Sequence, residues 1–412
     1  MNNFENLNIK KITDYISSGI KKVPGKSIGV ECEHIITDKN NQPVSFYGDN
    51  GVEVILEELS AFYPHKTYSD GFLVGLNDGK VYITLEPAAQ IEVSIIPLES
   101  LEKIKNLYLE FVNRIADILE KYGYILHNIG YHPTSKADDL QLIPKERYRL
   151  MDSYFRSKGN KPHYMMRGSA SVQVNIDYFS EDDFAQKFRL ANLLSPLFYL
   201  ITDNSDVFEG EKFEGYSARS FAWENVDNSR CGFLDFSTFE EYARWIHLTQ
   251  PVFIQENGKD VFCPDMNNAV IFKNKELTAD DISHIMSMVF PNVRVKRFIE
   301  IRAADSMPCK FMLAYAALIK GLFYSPESVK ELNNMFSFVS VEGMNSQIEL
   351  IRDLGFNCKY FGFEMKDIID KVFNLAQTGL DADEKSILTP LMQSALNLTT
   401  PKQLLKPEVT IL

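Results

Sequence analysis

Three segments of the chain alternate apolar and polar residues with a period of two, and glutamates occupy their polar positions. Glu31 and Glu33 lie in Ile28-Gly29-Val30-Glu31-Cys32-Glu33-His34, Glu86 and Glu92 lie in residues 85–93, and Glu300 lies in residues 298–302. Such alternation predicts β-strands with one buried face. The five carboxylates would gather on the other face, where they repel one another unless cations hold them. An oxygen-rich set of this kind favours Mg²⁺ or Mn²⁺.

A fourth segment, residues 164–178, alternates over a longer stretch and predicts a companion strand. Its polar positions carry Arg167, Ser169, Ser171, Gln173 and Asn175. A sheet face exposed to solvent usually carries more Lys and Thr, so this pattern favours a buried polar site over five solvated glutamates. For Glu31 and Glu33 taken alone, two solvated side chains are an equally good interpretation.

Helical patterns separate the strands without a regular βαβ rhythm. The sequence predicts helices over 6–22, 100–122, 144–156 and 180–203, a strand over 293–303, and helices from there to about residue 395. This order predicts an α+β fold, with a mainly antiparallel sheet whose apolar face is covered by helices. We expect a single catalytic domain over residues 1–412, with a core at about 26–325 and a helical C-terminal extension over 326–412.

The composition excludes several classes of protein. A formal net charge of −13 over 412 residues disfavours nucleic-acid binding, and no apolar run is long enough to span a bilayer. The five cysteines form no C-x-x-C motif, which argues against a disulfide framework or a zinc site. Together with the absence of a signal-like N-terminus, these features predict a cytoplasmic protein.

Four arginines form a second set of candidate site residues: Arg167, Arg219, Arg230 and Arg302. Guanidinium groups suit carboxylate and phosphate oxygens, although a single arginine is more often a surface residue or part of a structural salt bridge. No Walker A motif is present, so a P-loop site is disfavoured. The residues alone therefore indicate a multi-metal, phosphate-handling α+β protein.

Six blocks resemble, in order, those of the plant- and proteobacterial-type glutamate–cysteine ligases, a branch of the carboxylate–amine ligases. They are Gly29-Val30-Glu31-Cys32-Glu33-His34, Leu85-Glu86-Pro87-Ala88-Ala89-Gln90-Ile91-Glu92-Val93-Ser94, Pro144-Lys145-Glu146-Arg147-Tyr148, Met166-Arg167-Gly168 through Gln173-Val174-Asn175, Arg219-Ser220 through Arg230-Cys231-Gly232, and Arg294-Val295-Lys296-Arg297 through Glu300-Ile301-Arg302. The family has paired glycines where this sequence has Ala88 and Ala89.

The resemblance implies a glutamine synthetase-like catalytic fold with a polar concave sheet face. It implies that ATP phosphorylates the γ-carboxylate of glutamate and that the amine of cysteine attacks the acyl phosphate, the first step of glutathione biosynthesis. Six residues would bind the metals: Glu31, Glu33, Glu86, Glu92, Glu300 and Gln173. Arg302, with Glu300, would be catalytic. Arg167, Arg219 and Arg230 would contact glutamate or nucleotide, and Trp223 would line the pocket for the amine acceptor.

Three alternatives to cysteine ligation remain open at this point. The same chemistry could use another amine acceptor, such as a secondary thiol or a peptide-like metabolite. More distant alternatives are a guanidino kinase-like phosphotransferase and a ligand-binding protein without catalysis. The expected partners are glutamate, cysteine and ATP, with no nucleic acid or membrane, and the expected state is a monomer or a homodimer.

Overall fold

One antiparallel sheet organises the computed structural model, which describes residues 3–158, 163–256, 259–263 and 265–405. The strands are β1 (Ile28–Asp38), β2 (His65–Ser69), β3 (Phe72–Asn77), β4 (Val81–Leu85), β5 (Ile91–Leu98), β6 (Tyr124–His127), β7 (Ser171–Ile176), β8 (Val207–Phe208), β9 (Glu211–Lys212), β10 (Cys231–Gly232), β11 (Phe253–Glu256), β12 (Lys259–Phe262), β13 (Phe290–Pro291), β14 (Val293–Val295) and β15 (Ile299–Asp305).

The helices lie mainly on one side of this sheet and towards the C-terminus. They are α1 (Asn3–Ser17), α2 (Val52–Leu59), α3 (Leu101–Tyr122), α4 (Glu146–Arg156), α5 (Glu181–Ile201), α6 (Ala218–Ala222), α7 (Phe239–Leu248), α8 (Asn268–Ile271), α9 (Ala279–Met286), α10 (Cys309–Phe323), α11 (Pro326–Met335), α12 (Val341–Leu354), α13 (Met365–Thr378), α14 (Ala382–Leu396) and α15 (Pro401–Leu404). Among the described residues, no helix is long and apolar enough to cross a bilayer.

Within the described residues, nine strands join in the order β14-β15-β7-β1-β5-β4-β3-β2, with β6 paired to the far end of β1. Every pairing in this sheet is antiparallel. Val30 and Cys32 on β1 are buried against the helical side, where α3, α5 and α10 pack. The predicted α+β class is therefore confirmed, and the glutamates fall on the opposite face.

The register brings residues far apart in sequence onto neighbouring positions. Glu33 lies opposite Glu92 on β5, and Glu31 lies opposite Gln173 on β7. Glu300 on β15 lies opposite Asn175. Like charges directly opposite each other destabilise a sheet, so the Glu33–Glu92 pair is a local cost that the fold retains.

Two strand predictions were too long. Residues 164–168 form a π-helical turn, and β7 begins only at Ser171. The side-chain amide of Gln90 donates to the carbonyl oxygens of three residues around this turn, Met166, Arg167 and Ser169, and these bonds substitute for strand pairing. The segment 293–303 likewise divides into the hairpin of β14 and β15, because residues 296–298 form its turn.

The link between β4 and β5 is a tight turn, as the interruption at Pro87 predicts. Glu86 N–H donates to the carbonyl of Gln90 at 2.9 Å, and Ala89 N–H donates to the carbonyl of Glu86 at 3.0 Å. Ala89 has a φ of 66°, a left-handed conformation that glycine adopts without strain. The left-handed backbone at residue 89 is the physical reason why a glycine suits this position. The turn also brings Glu86 beside Glu92.

Candidate active site

Four of the predicted carboxylates line one cavity of about 300 Å³ on the polar face of the sheet: Glu31, Glu33, Glu86 and Glu92. The alternation of β1 projects Glu31 and Glu33 into it, β5 supplies Glu92, and the turn after β4 supplies Glu86. Gln173, Arg219, Trp223 and Arg302 line the same cavity. Eight of the predicted site residues thus come together, from segments that span residues 31 to 302.

Neutral hydrogen-bond donors hold three of these carboxylates. Glu33 accepts from the backbone N–H of Ser171 at 2.7 Å and from the amide of Gln173 at 2.9 Å. Glu31 accepts from the amide of Asn175 at 2.7 Å. Glu92 accepts from the hydroxyl groups of Thr84 and Ser94 at 2.9 and 3.2 Å. These bonds orient the carboxylates without neutralising them.

The carboxylates therefore raise one another's pKa values. Burial, followed by the charges of Glu300 and Glu92, raises the pKa of Glu31 to about 7. Burial, followed by the charges of Glu92 and Glu33, raises the pKa of Glu86 to about 8. The pKa of Glu92 is raised as well, by burial and by Glu33. Perturbed carboxylates gathered in a cavity are typical of functional sites.

Basic side chains form the other side of the cavity: Arg147, Arg219, Arg294, Lys296 and Arg302. Arg302 donates to the side-chain oxygen of Gln173, and Gln173 donates to Glu33. Gln173 therefore joins the acidic half of the site to the basic half. A cavity with this division suits a ligand that carries anionic oxygens on one side and cations on the other.

Glu300 occupies a different position from the other glutamates. Its side chain is fully buried and lies beneath the cavity, where it contacts Arg294 at 2.6 Å, Arg302 at 2.8 Å and Lys296 at 3.1 Å. Although burial opposes ionisation, these three cations hold the pKa of Glu300 well below its usual range. The predicted metal ligation by Glu300 does not fit this structure, because both carboxylate oxygens already receive bonds from cations.

Arg167 and Arg230 lie outside the cavity, which corrects their predicted role as ligand contacts. Arg167 forms an ion pair with Asp152 at 2.8 Å and donates to the carbonyl of Leu140. Arg230 is fully buried and donates to the carboxylate of Asp227 at 2.8 Å and to the carbonyl of Met288 at 2.9 Å. Both are structural residues that join the segments around the site.

The sequence prediction did not include three basic residues that line the cavity: Arg147, Arg294 and Lys296. Arg294 and Lys296 share the parity of Glu300 in the run 294–300, and Arg147 lies two residues after Lys145. Their parity could therefore have identified Arg294 and Lys296 as site residues from the sequence. Arg147 is placed by packing, since its guanidinium donates to the side-chain and backbone oxygens of Ser287 at 3.2 and 3.0 Å.

Comparison with known proteins identifies the family. The sequence model of glutamate–cysteine ligase family 2 matches residues 27–344 of the chain. The chain belongs to glutamate–cysteine ligase family 2. The resemblance seen in the six sequence blocks is therefore confirmed.

Relatives of this glutamate–cysteine ligase family member align with most of its length. Glutamate–cysteine ligase B, chloroplastic, from Oryza sativa subsp. japonica is 29% identical over 395 residues, which cover 92% of this chain and 78% of the relative. Glutamate–cysteine ligase, chloroplastic, from Arabidopsis thaliana is 28% identical over 394 residues, covering 92% and 74%.

A solved structure has the same fold. The crystal structure of glutamate–cysteine ligase from Francisella tularensis in complex with AMP superposes with a TM-score of 0.57 and 11% identity, covering 93% of this chain and 86% of that chain. This likeness supports the predicted fold of the ligase family, with its large antiparallel sheet.

The predicted cytoplasmic location is wrong on this comparison. The relatives from rice, Arabidopsis and Brassica juncea are chloroplastic enzymes by name. The cytoplasmic prediction rested on the cysteine pattern and on the absence of a signal-like N-terminus. Neither feature distinguishes one reducing compartment from another.

Proposed function

We propose that this family member joins the γ-carboxylate of L-glutamate to the amine of L-cysteine at the expense of ATP, through a γ-glutamyl phosphate. The observation that carries the proposal is one cavity lined by four carboxylates, one buried and three half-buried, and by five basic side chains. Family membership supports the reaction class. Ligation to a different amine acceptor is the second candidate, because Ala88 and Ala89 replace glycines beside Glu86.

A divalent cation, Mg²⁺ or Mn²⁺, fits the donor chemistry of this cavity. Glu31, Glu33, Glu86 and Glu92 would hold it, with the side-chain oxygen of Gln173 beside them. Hard oxygen donors suit these ions, and burial together with neighbouring glutamate charges raises the pKa values of Glu31 and Glu86, which a bound cation would oppose. Among the described residues, no three His, Cys, Asp or Glu side chains converge on one point, so each ion would be held by one or two of these carboxylates and would complete its coordination with phosphate oxygens of ATP. The cation would neutralise phosphate oxygens of ATP.

The basic side of the cavity supplies the remaining electrostatic stabilisation. When the γ-carboxylate of glutamate takes the terminal phosphoryl group, negative charge develops on its oxygens. Arg302, held between Gln173 and Glu300, faces this charge with a fixed guanidinium. Such preorganised donors lose no free energy to reorientation during the reaction.

Glu300 acts on this side as an anchor in our proposal. Its carboxylate forms ion pairs with Arg294, Lys296 and Arg302, and so holds together three cations that line the cavity. We therefore assign it a positioning role in place of metal ligation.

Two buried donors on the wall of the cavity have no hydrogen-bond partner within the described part of the chain: Arg219 Nε and Trp223 Nε1. Unsatisfied buried donors are costly, and both belong to α6 or its end. Both residues line the cavity, where a guanidinium and an indole ring suit a bound amino acid with its carboxylate. We propose that Arg219 and Trp223 bind the amino-acid substrates.

The domain organisation stays a proposal too. We propose one catalytic domain with its core at about 26–325 and a helical extension after it. Residues 406–412 of the predicted extension lie outside the described residues. A monomeric or homodimeric state and the absence of a nucleic-acid partner stay predictions.

The decisive experiment measures ADP release from ATP, Mg²⁺ and glutamate, with and without cysteine, and identifies the product by mass spectrometry. Cysteine-dependent ADP release with the mass of γ-glutamylcysteine is the expected result. Release that requires another amine would favour the second candidate. A stable phosphorylated product without an amide would indicate a phosphotransferase, and no release with any acceptor would indicate a binding protein.

A pair of arginine variants tests the site itself. Arg302→Lys removes the planar guanidinium, and we expect a loss of about 100-fold or more in kcat. Arg149→Lys is the matched control, because Arg149 is exposed on α4 and, among the residues that the structure describes, forms an ion pair only with Glu146. Equal activities of the two variants would overturn the assignment of Arg302.

A further inference from the structure

The C-terminal helix α15 contacts the segment that leads into α6, far from the carboxylates. Lys402 is 9% exposed at its side chain, and its Nζ lies 2.8 Å from the carboxylate of Asp203, which is fully buried. The backbone N–H of Lys402 also donates to the carbonyl of Asp203 at 3.1 Å. Two contacts thus fix α15 to the end of α5.

The same ammonium group holds the turn before α6. Lys402 Nζ donates to the carbonyl of Gly215 at 2.9 Å and lies 5.4 Å from the centre of the Tyr216 ring. Burial raises the pKa of Asp203 to about 7, and the charge of Lys402 opposes that rise. Lys402 therefore joins Asp203 to residues 215 and 216.

This turn carries backbone strain. Ser217 has a φ of 55°, in the left-handed region that a non-glycine residue rarely adopts. Its side chain accepts from the backbone N–H of Ser220 and caps α6. A short helix of five residues has little stability of its own, so its orientation depends on the turn that precedes it.

α6 presents Arg219 and Trp223 to the cavity. Arg219 donates to the carbonyl of Arg302 at 2.9 Å, and its guanidinium carbon lies 5.8 Å from the centre of the Trp223 ring. The path from Lys402 to the cavity is therefore short: an ion pair, a strained turn and one helical turn. Residues 401–405 lie beyond the family match, which ends at residue 344.

We infer that Lys402 is a positioning residue for ligation: by holding Asp203 and the turn 215–217, it aims Arg219 and Trp223 into the cavity. This inference rests on the proposed function in that Arg219 and Trp223 bind substrate. It gives the C-terminal extension a part in activity. Loss of the ammonium group would let α6 rotate or fray. The carboxylates of the cavity would keep their positions, but Arg219 and Trp223 would lose theirs.

The test compares Lys402→Met with Lys320→Met. Lys320 is the matched control because it also forms a buried ion pair, with Glu384, and donates to a backbone carbonyl, that of Glu99, at a place remote from α6. Both variants lose a buried ammonium group. We expect Lys402→Met to lower kcat/KM for glutamate by roughly 10- to 100-fold, as for a misplacement of about 1 Å, while Lys320→Met retains the activity of its folded fraction.

A second readout needs no catalysis. The chain has two tryptophans, so Trp245→Phe leaves Trp223 as the single emitter. In that background, Lys402→Met should shift Trp223 emission and increase its quenching by acrylamide, and Lys320→Met should not. If the protein proves not to ligate cysteine, the emission change still supports the positioning role. Unchanged emission and kcat/KM in Lys402→Met would overturn it.

Asp203→Asn covers the case in which Lys402→Met fails to fold. The asparagine nearly retains the size of the side chain but loses the ion pair with Lys402. It should shift Trp223 emission in the direction described and lower kcat/KM by a smaller factor. Wild-type values for both would refute the inference.

Discussion

Glu31→Gln should make the metal-free protein more stable at pH 8 while it abolishes ligation. Burial and the neighbouring charges of Glu300 and Glu92 raise the pKa of Glu31 from 4.5 to about 7, so the folded chain resists the ionised form. The amide of Asn175, which donates to Glu31 at 2.7 Å, can donate equally to the oxygen of glutamine. The substitution therefore removes the repulsion and keeps the hydrogen bond.

The magnitude follows from linkage between proton binding and folding. As pH rises from 4.5 to 7, the unfolded chain loses the Glu31 proton before the folded chain does, so the free energy of unfolding falls. The rise of the Glu31 pKa from 4.5 to about 7 corresponds to a loss of about 3 kcal/mol in the free energy of unfolding once the pH exceeds 7. Solvent reaches Glu31 through the cavity and screens its charge, so we expect a stabilisation of about 2 kcal/mol for the variant.

The assay is urea denaturation of wild type and variant in EDTA, at pH 5 and pH 8. The variant should be more stable by about 2 kcal/mol at pH 8 and by less than about 1 kcal/mol at pH 5. Glu349→Gln, an exposed carboxylate on α12, is the control and should change little at either pH. Added Mg²⁺ should stabilise wild type more than Glu31→Gln. A variant that is no more stable than wild type at pH 8 would refute the reasoning.

Three other substitutions test single features of the structure. Glu300→Gln leaves Arg294, Lys296 and Arg302 without their shared counter-charge and should lower the free energy of unfolding by about 3–5 kcal/mol; an unchanged urea midpoint would contradict the anchor role. Arg230→Lys cannot reproduce the bonds to Asp227 and to the carbonyl of Met288 and should cost about 2–4 kcal/mol of stability, with KM for glutamate unchanged in the folded enzyme; a raised KM would restore it as a ligand contact. Ala89→Gly relieves the φ of 66° and should raise the unfolding free energy by about 0.5–1 kcal/mol, which thermal melting would detect; a lower melting temperature would exclude strain at this turn.

The raised pKa values show that gathering these carboxylates costs the fold stability when they are ionised. Glu33 and Glu92 face each other across β1 and β5, and the site gathers these charges in a buried cavity. In our proposal a divalent cation supplies the missing positive charge. Sites of this kind commonly trade stability for activity.

Strand alternation in the sequence was enough to place the acidic half of the site. Period two fixes the face on which each side chain lies, so Glu31, Glu33 and Glu92 could be assigned to the polar face without knowing the order of strands. The family blocks then supplied the fold and the reaction class, and the comparison with known proteins agrees with both.

The sequence alone could not distinguish the arginines that line the cavity from those that form structural ion pairs. Arg167, Arg219, Arg230 and Arg302 have the same chemistry, yet Arg219 and Arg302 face the cavity while Arg167 and Arg230 hold Asp152 and Asp227. A guanidinium group pairs with whichever carboxylate the fold brings near it, and that depends on contacts between residues far apart in the chain.

Tertiary structure likewise decided the role of Glu300. Parity places it on the polar face with the other glutamates, as the sequence predicts. The hairpin of β14 and β15 then sets Arg294 directly opposite it, and Lys296 and Arg302 complete its set of cations. Local sequence determines the face on which a residue lies because backbone geometry is local. The charges that surround it, and therefore its chemistry, depend on strand register and packing, which only the folded chain defines.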